Sequence, residues 1–414
     1  MKRISTYYSI VILLFLFIQC GNQGSESPSE DNVTTIGVTD TEIVLGAWGP
    51  LTGPAALWGS ILKGSDAYFK MINEEGGIHG REIKFVFKDD AYDPSKTVPA
   101  VRELVQRDEI FAVAGGIGTA PCMSVMNYLE ENNIPWVSPM SGATHFTHPT
   151  RQNIFTSFPL YFDEGQIMAR HAVEEMNSTK VGIIYQNDDF GKSGMVGVKH
   201  LLQEKNMDFV AALPVEITDT DLSSHVAKLK ESGAETVFLW LLPRQAAIIL
   251  GSSAVIDFNP IWMASIVLSD MALMHNITKG AWEGVYFTFP GELYLVGSDS
   301  PVVNKYKAAF SKYYPEERWG NFPSAGFFWL EPLVEGLRRA GRDLSRESFL
   351  NAMAGIKDFK VSSGVPINFS ANNHLGTRGL SIMQCKSATQ AQRIGKLISN
   401  ESDVSEMISM LEGD

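Results

Sequence analysis

Residues 111–146 read FAVAGGIGTAPCMSVMNYLEENNIPWVSPMSGATHF, and this stretch decides the fold. The apolar run Phe111–Ala114 has strand length and empties into the small residues Gly115–Thr119. A helix opens near Thr119-Ala120-Pro121, and the run Pro135–Val137 empties into a second loop of Ser, Gly and Thr. Two loops rich in backbone N–H groups and hydroxyls therefore emerge side by side at one sheet edge, which is where α/β folds build ligand sites.

Working outward, the same alternation fills the chain. A strand followed by a Gly/Pro loop begins at Glu42, and a helix spans Gly59–Glu75. IKFVFKDD alternates as a strand, and Asp93-Pro94-Ser95 starts a helix with proline in its first turn. After Phe158 the rhythm resumes: strands at Lys180–Tyr185, Phe209–Pro214, Thr236–Leu242 and Pro260–Ala264 are separated by helices at Gly191–Lys205, Leu222–Glu231 and Arg244–Ser253. Alternation of this kind predicts parallel βαβ units, here two doubly wound, Rossmann-like units without close sequence repeat. Past Gly284 the pattern alters to a strand at VYFTFP, then helices at Val302–Tyr313, across Phe322–Ala340 as one apolar stripe, and at Ser345–Met353. Short strands at Pro366–Phe369 and Leu380–Gln384 and a polar tail close the chain.

A chain of 414 residues exceeds what one core usually holds, in keeping with two domains. At the start, Lys2 and Arg3 precede the apolar run Ile10–Ile18. Nine helical residues reach only about 14 Å, under half a bilayer core, so residues 1–20 are expected to be an export signal. The run stops at Cys20, the position of the lipidated cysteine in a bacterial lipoprotein leader, although Gln19 and Phe17 depart from the usual lipobox. Residues 21–35 are too polar and too rich in Ser, Gly and Glu to bury a core, and form a tether. Removing the leader takes the formal charge from −13 to −15, which argues against nucleic acid as a partner. Cys122 and Cys385 have no framework of spaced cysteines around them and are expected to be buried thiols.

Several chemistries lack their residues. GxGxxG from Gly116 would need glycine where Pro121 stands, and no Walker A lysine follows a glycine loop, so no dinucleotide or phosphate cofactor is signalled. His145 and His148 have no third ligand near them, and Asp89, Asp90 and Asp93 fit turn and helix-start capping better than a metal cluster. HExxH and GxSxG are both missing. Thr119 has two open readings, a hydroxyl beside an anion at a helix N-terminus or the cap of its own helix. Trp58, Phe190 and Trp240 are aromatic residues at positions expected to rim a cleft.

In order, GPLTGP (49–54), Trp58-Gly59, INEEGGIHGR, KDDAYDP, VAGGIGT, NNIPWVSP and YQNDDFGKSG resemble the leucine/isoleucine/valine-binding family of ABC-importer solute receptors, from about Glu42 to Gln384. The resemblance implies a type I periplasmic binding protein fold, with two lobes joined by three crossovers near Phe158, Phe287 and Phe369. Residues 36–158 and 287–369 would form one lobe, 159–286 and 370–400 the other, with 401–414 a polar tail. It implies an exported, membrane-anchored, monomeric binding protein and not an enzyme, delivering a small ligand to an ABC permease and its ATPase. Gly118 and Thr119, with Ser141, Gly142 and Ala143, fall where the family grips a ligand carboxylate. Trp58 and Phe190 fall on its pocket walls, and Ser265 falls near the residue that should meet a ligand ammonium.

Two departures matter. The family's cysteine pair is replaced by Tyr92 and Ile117, and no carboxylate follows the strand IWMASIV until Asp270. An unpaired buried ammonium would cost several kcal/mol, so an amide or aromatic acid is expected in preference to a branched-chain amino acid. A ligand-sensing receptor subunit and an extracytoplasmic enzyme remain the alternatives.

Overall fold

The computed structural model describes residues 35–291 and 299–400. The expected leader with Cys20, the tether up to residue 34 and the tail 401–414 lie outside the described residues.

Five parallel strands form the first sheet: β1 (Glu42–Gly49), β2 (Glu82–Asp89), β3 (Ala112–Ala114), β4 (Trp136–Val137) and β5 (Ile154–Phe155), in the order β2-β1-β3-β4-β5. Helices α1 (Ser60–Glu74), α2 (Pro94–Gln106) and α3 (Thr119–Glu131) connect them. Asp93 caps α2 through Ser95 N–H, and Asp89 accepts from Leu51 N–H, Thr52 N–H and Ala91 N–H, the turn roles expected of these carboxylates. The order reverses between β1 and β3, so the loops that follow these two strands diverge and leave a crevice between them.

After helix α4 (Tyr161–Arg170), a second sheet is built from β6 (Val181–Gln186), β7 (Ala211–Val215), β8 (Thr236–Trp240), β9 (Ile261–Ala264) and β10 (Tyr286–Phe289). Helices α5 (Asp189–Glu204), α6 (Ser223–Glu231), α7 (Pro243–Val255) and α8 (Met271–Ile277) separate its strands. The chain then returns to the first sheet through α9 (Pro301–Tyr313), α10 (Asn321–Phe328), α11 (Glu331–Ala340) and α12 (Arg346–Ala354). On α10, Gly326 lets the helix lie against α1, since a Cβ there would meet Ile61 O at 2.3 Å. On α12, Arg346 donates from Nε to Phe111 O and Phe349 packs edge-on against Phe111. A small ribbon, β11 (Phe359–Lys360) with β12 (Pro366–Ile367), precedes the final hairpin β13 (Gly379–Ser387) and β14 (Gln390–Ser399), which extends the second sheet antiparallel beside β10.

Two expectations are corrected. The apolar stripe Phe322–Ala340 is two helices, because Pro332 near the start of α11 has no N–H for the Phe328 carbonyl and its ring crowds the preceding turn. The strand expected at Leu380–Gln384 is longer and pairs with β14, whose mostly exposed residues carry little hydrophobic signal.

The chain passes between the sheets after β5, after β10 and before β13. Where the first and last passages meet, Arg378 makes a two-pronged ion pair with the fully buried Asp163, Nε to Oδ2 at 2.7 Å and a terminal nitrogen to Oδ1 at 2.6 Å. Burial raises the Asp163 carboxyl even so, with Arg378 pulling the other way.

Candidate ligand cavity between the lobes

A cavity opens at the carboxyl ends of both sheets. From the first come Trp58 after β1, Tyr92 after β2, Gly118 and Thr119 after β3, Met140 after β4 and Phe158 after β5. The second contributes Phe190 after β6, Ile266, Val267 and Ser269 after β9, and Phe289 at the end of β10; α10 and its C-terminal turn close the wall with Asn321, Phe322, Phe328 and Trp329. Nine of the nineteen lining residues are aromatic and none is charged, so the cavity suits an apolar body and offers no counter-ion for an ammonium.

The rings brace one another. Trp58 meets Tyr92 edge-on at 5.6 Å, Tyr161 meets Phe190 at 5.1 Å, and Phe158 joins Tyr161 to Trp329. Trp58 Nε1 also donates to Val267 O at 3.1 Å, a bond from the first lobe to the second. Tyr92, standing where a cysteine was expected from the family pattern, is a wall of the cavity; Gly118, at φ +98°, makes room for its ring, which a Cβ would meet at 2.2 Å.

One end is polar. Helix α3 begins at Thr119 with no side-chain cap and no acidic residue in its first turn, so no carboxylate of its own opposes the N-terminal field that faces the cavity. Thr119 does not cap its own helix: its Oγ1 lies 2.7 Å from Ser141 Oγ. The Tyr161 hydroxyl lies against the Thr119 side chain and the Gly142 backbone, and burial pushes its ionisation up, so it remains a neutral donor. Backbone N–H groups, a helix N-terminus and hydroxyls together can receive an anion without a cationic side chain.

Behind the opposite wall lies Glu164, on α4 and 1% exposed. It accepts from Ser265 Oγ at 2.9 Å, from Ile266 N–H and from the Thr288 hydroxyl. Burial lifts its pKa from 4.5 to about 7, and the three hydrogen bonds hold it from going higher. The folded state therefore binds a proton more tightly than the unfolded chain. Its contribution to stability is full below about pH 4.5 and is lost as pH rises through 7, by about 3 kcal/mol. Glu164→Gln reproduces the protonated form, with Oε1 accepting from Ile266 and Thr288 and Nε2 donating to Ser265. Urea unfolding at pH 5 and pH 8 is expected to show a flatter pH dependence in this variant than in the wild type.

The profile of the periplasmic binding protein family matches residues 42–390, most of the chain. The chain belongs to the periplasmic binding protein family. The "Leu/Ile/Val-binding protein" of Escherichia coli strain K12 is 24% identical over 75% of this chain and 83% of its own. "Leu/Ile/Val-binding protein homolog 3" of Brucella melitensis is 31% identical over 48% of this chain, and the match spans only 54% of that relative. Among solved structures, the "Fatty acid ABC transporter substrate-binding protein from Thermomonospora curvata" superposes with a TM-score of 0.79 at 25% identity, covering 89% of this chain and 95% of that one. The fold is therefore that of the type I periplasmic binding proteins, two α/β lobes around a cleft, and the role is solute binding.

Of the residues singled out in the sequence, Trp58, Gly118, Thr119 and Phe190 line the cavity of this binding protein. Ser141, Gly142 and Ala143 do not. An isolated parallel bridge between Ile117 and Met140 turns Met140 inward, leaving Ser141 behind Thr119. Gly142 packs against Pro159 O, which a Cβ would meet at 2.3 Å, and Ala143 is fully buried. Ser265 is also fully buried, its hydroxyl turned to Glu164, and Trp240 is sealed within β8. Cys122 and Cys385 are buried free thiols.

Proposed function

We propose that this chain is the exported receptor of an ABC importer, closing two lobes on a small carboxylate whose body is apolar or aromatic and carries no ammonium. The observation that carries this reading is the cavity lining: aromatic walls without a charged side chain, and a helix N-terminus with hydroxyls at one end. A relative named for fatty acids and others named for leucine, isoleucine and valine all bear ligands with a carboxylate and an apolar body, in keeping with that lining. The lobes are taken as residues 36–158 with 287–369 and 159–286 with 370–400, the anchor as a lipid on Cys20, and the partners as a permease and its ATPase. Closure is a hinge motion favoured by a ligand that touches both lobes at once.

A thermal-shift screen against short-chain, branched-chain and aromatic carboxylates and their amides tests this. Of the amide and the aromatic acid expected from the sequence, the acid is expected to stabilise more than its matched amide, because only the acid carries the charge that the N-terminus of α3 favours. For the best acid, Thr119→Ala is expected to weaken affinity roughly tenfold, the worth of one hydrogen bond to a charged group, in a calorimetric titration. Unchanged affinity would place the carboxylate elsewhere.

A further inference from the structure

Asp270 stands just beyond the cavity and is not among the residues that line it. It is 4% exposed and caps α8, its own helix in the second lobe, by accepting from Leu273 N–H at 3.0 Å through Oδ1. Its other oxygen accepts from Phe322 N–H at 2.9 Å, at the start of α10 in the first lobe. Helix α10 has no side-chain cap of its own, because its N-cap is Gly320. One carboxylate thus serves the N-termini of two helices on opposite sides of the cleft.

The neighbouring bonds follow the same direction. Trp58 Nε1 donates to Val267 O, Asn321 Nδ2 to Ser269 O at 2.6 Å, and an Arg318 terminal nitrogen to Ala272 O at 3.1 Å. The donors are in the first lobe and the acceptors form one short run of the second. Four of these residues, Trp58, Val267, Ser269 and Asn321, also line the cavity, so this seam is part of its wall. Asp270 is the one ionisable acceptor in the run, and the helix N-terminus it meets is the strongest donor array there.

We propose that Asp270 is the latch of the closed cleft, a positioning residue that lengthens ligand retention by capping α10 across the lobes. This rests on the reading that the lobes close on a solute. Opening exchanges the carboxylate's contact with α10 for water while leaving its cap on α8 intact, so the latch can release without unfolding either helix.

Two variants separate the cross-lobe bond from the local cap. Asp270→Ser keeps a good N-cap for α8 but is too short to reach α10. Gly320→Ala leaves Asp270 in place and sets a Cβ 2.5 Å from its Oδ2, and the extended backbone at Gly320 accepts alanine. Hydrogen exchange of the full chain, without ligand, reads the latch directly. In both variants the Asn321 and Phe322 amides are expected to exchange roughly tenfold faster or more, with Leu273 protection retained and a larger radius of gyration by small-angle scattering. Unchanged exchange at Phe322 in both variants, or equal loss at Phe322 and Leu273, would overturn the latch. Isocaproate binding to the wild type is a separate readout: its failure would count against the proposed ligand class and leave the exchange result standing.

Discussion

Trp58→Ala is expected to reduce ligand affinity roughly 30- to 1,000-fold, the range of a central aromatic hot spot worth about 2–4 kcal/mol. Three losses coincide in this one truncation. A ring that is 5% exposed and forms part of the cavity wall disappears, its edge-on contact with Tyr92 goes with it, and the Nε1 bond to Val267 O across the lobes is broken. Trp58→Phe separates them, because it keeps most of the apolar wall and removes the bond. If cross-lobe bonding matters as the seam suggests, the phenylalanine variant falls between wild type and alanine, mainly through faster dissociation in a stopped-flow or surface-binding measurement. Equal affinity of alanine and wild type would place the ligand outside this cavity.

The largest stability effect is expected at the crossing of the chain passages. Arg378→Ala strips the charged partner from a carboxylate that has no solvent exposure and leaves it the hydrogen bond from Asn400 Nδ2 at 3.1 Å, and breaking such a pair costs about 3–5 kcal/mol. The Arg378 side chain is 21% exposed, which places the expected loss toward the lower end of that range. The sign with pH follows from the stranded group. Without Arg378 the Asp163 carboxyl, already raised by burial, rises further, so the folded state takes up its proton more readily than the unfolded chain. The variant therefore regains stability relative to wild type as pH falls from 7.5 toward 5, and urea unfolding at the two pH values measures it. A deficit independent of pH would show that the loss comes from the alkyl stem's packing and not from the charge.

The sequence carried the architecture because most of the parallel strands are short apolar runs, and those of β1, β3, β4, β5 and β9 end in or run directly into Gly, Ser or Thr. That is why the loops after β1 and β3, and with them Trp58, Gly118 and Thr119, were legible as cavity wall, while Phe190 was legible from the turn NDDFG that follows β6. Side-chain direction within a loop was not. The bridge from Ile117 to Met140 decides that Met140 faces in and Ser141 backs Thr119, and it depends on pairing between loops that no local pattern encodes. Ser265 failed for a similar reason, since the carboxylate that claims its hydroxyl, Glu164, lies 101 residues away in the chain. The α10 wall was hidden differently: Phe322, Phe328 and Trp329 read as an apolar stripe, and hydrophobic periodicity does not separate a core face from a cavity face. Tyr92 carried a signal of its own, as the residue standing where the family pattern has a cysteine.

Ligand chemistry is the centre of this account, and a matched pair tests it most directly: leucine against isocaproate, which is leucine without its amino group. Both offer the same carboxylate to Thr119 and the same branched chain to the aromatic walls, and only leucine must leave an ammonium without a counter-ion among the lining residues. Calorimetric titration at pH 7 is expected to give isocaproate an affinity at least about tenfold above that of leucine, since an unpaired buried charge costs well over 1.4 kcal/mol. Tighter binding of leucine, or no binding of either, would contradict it.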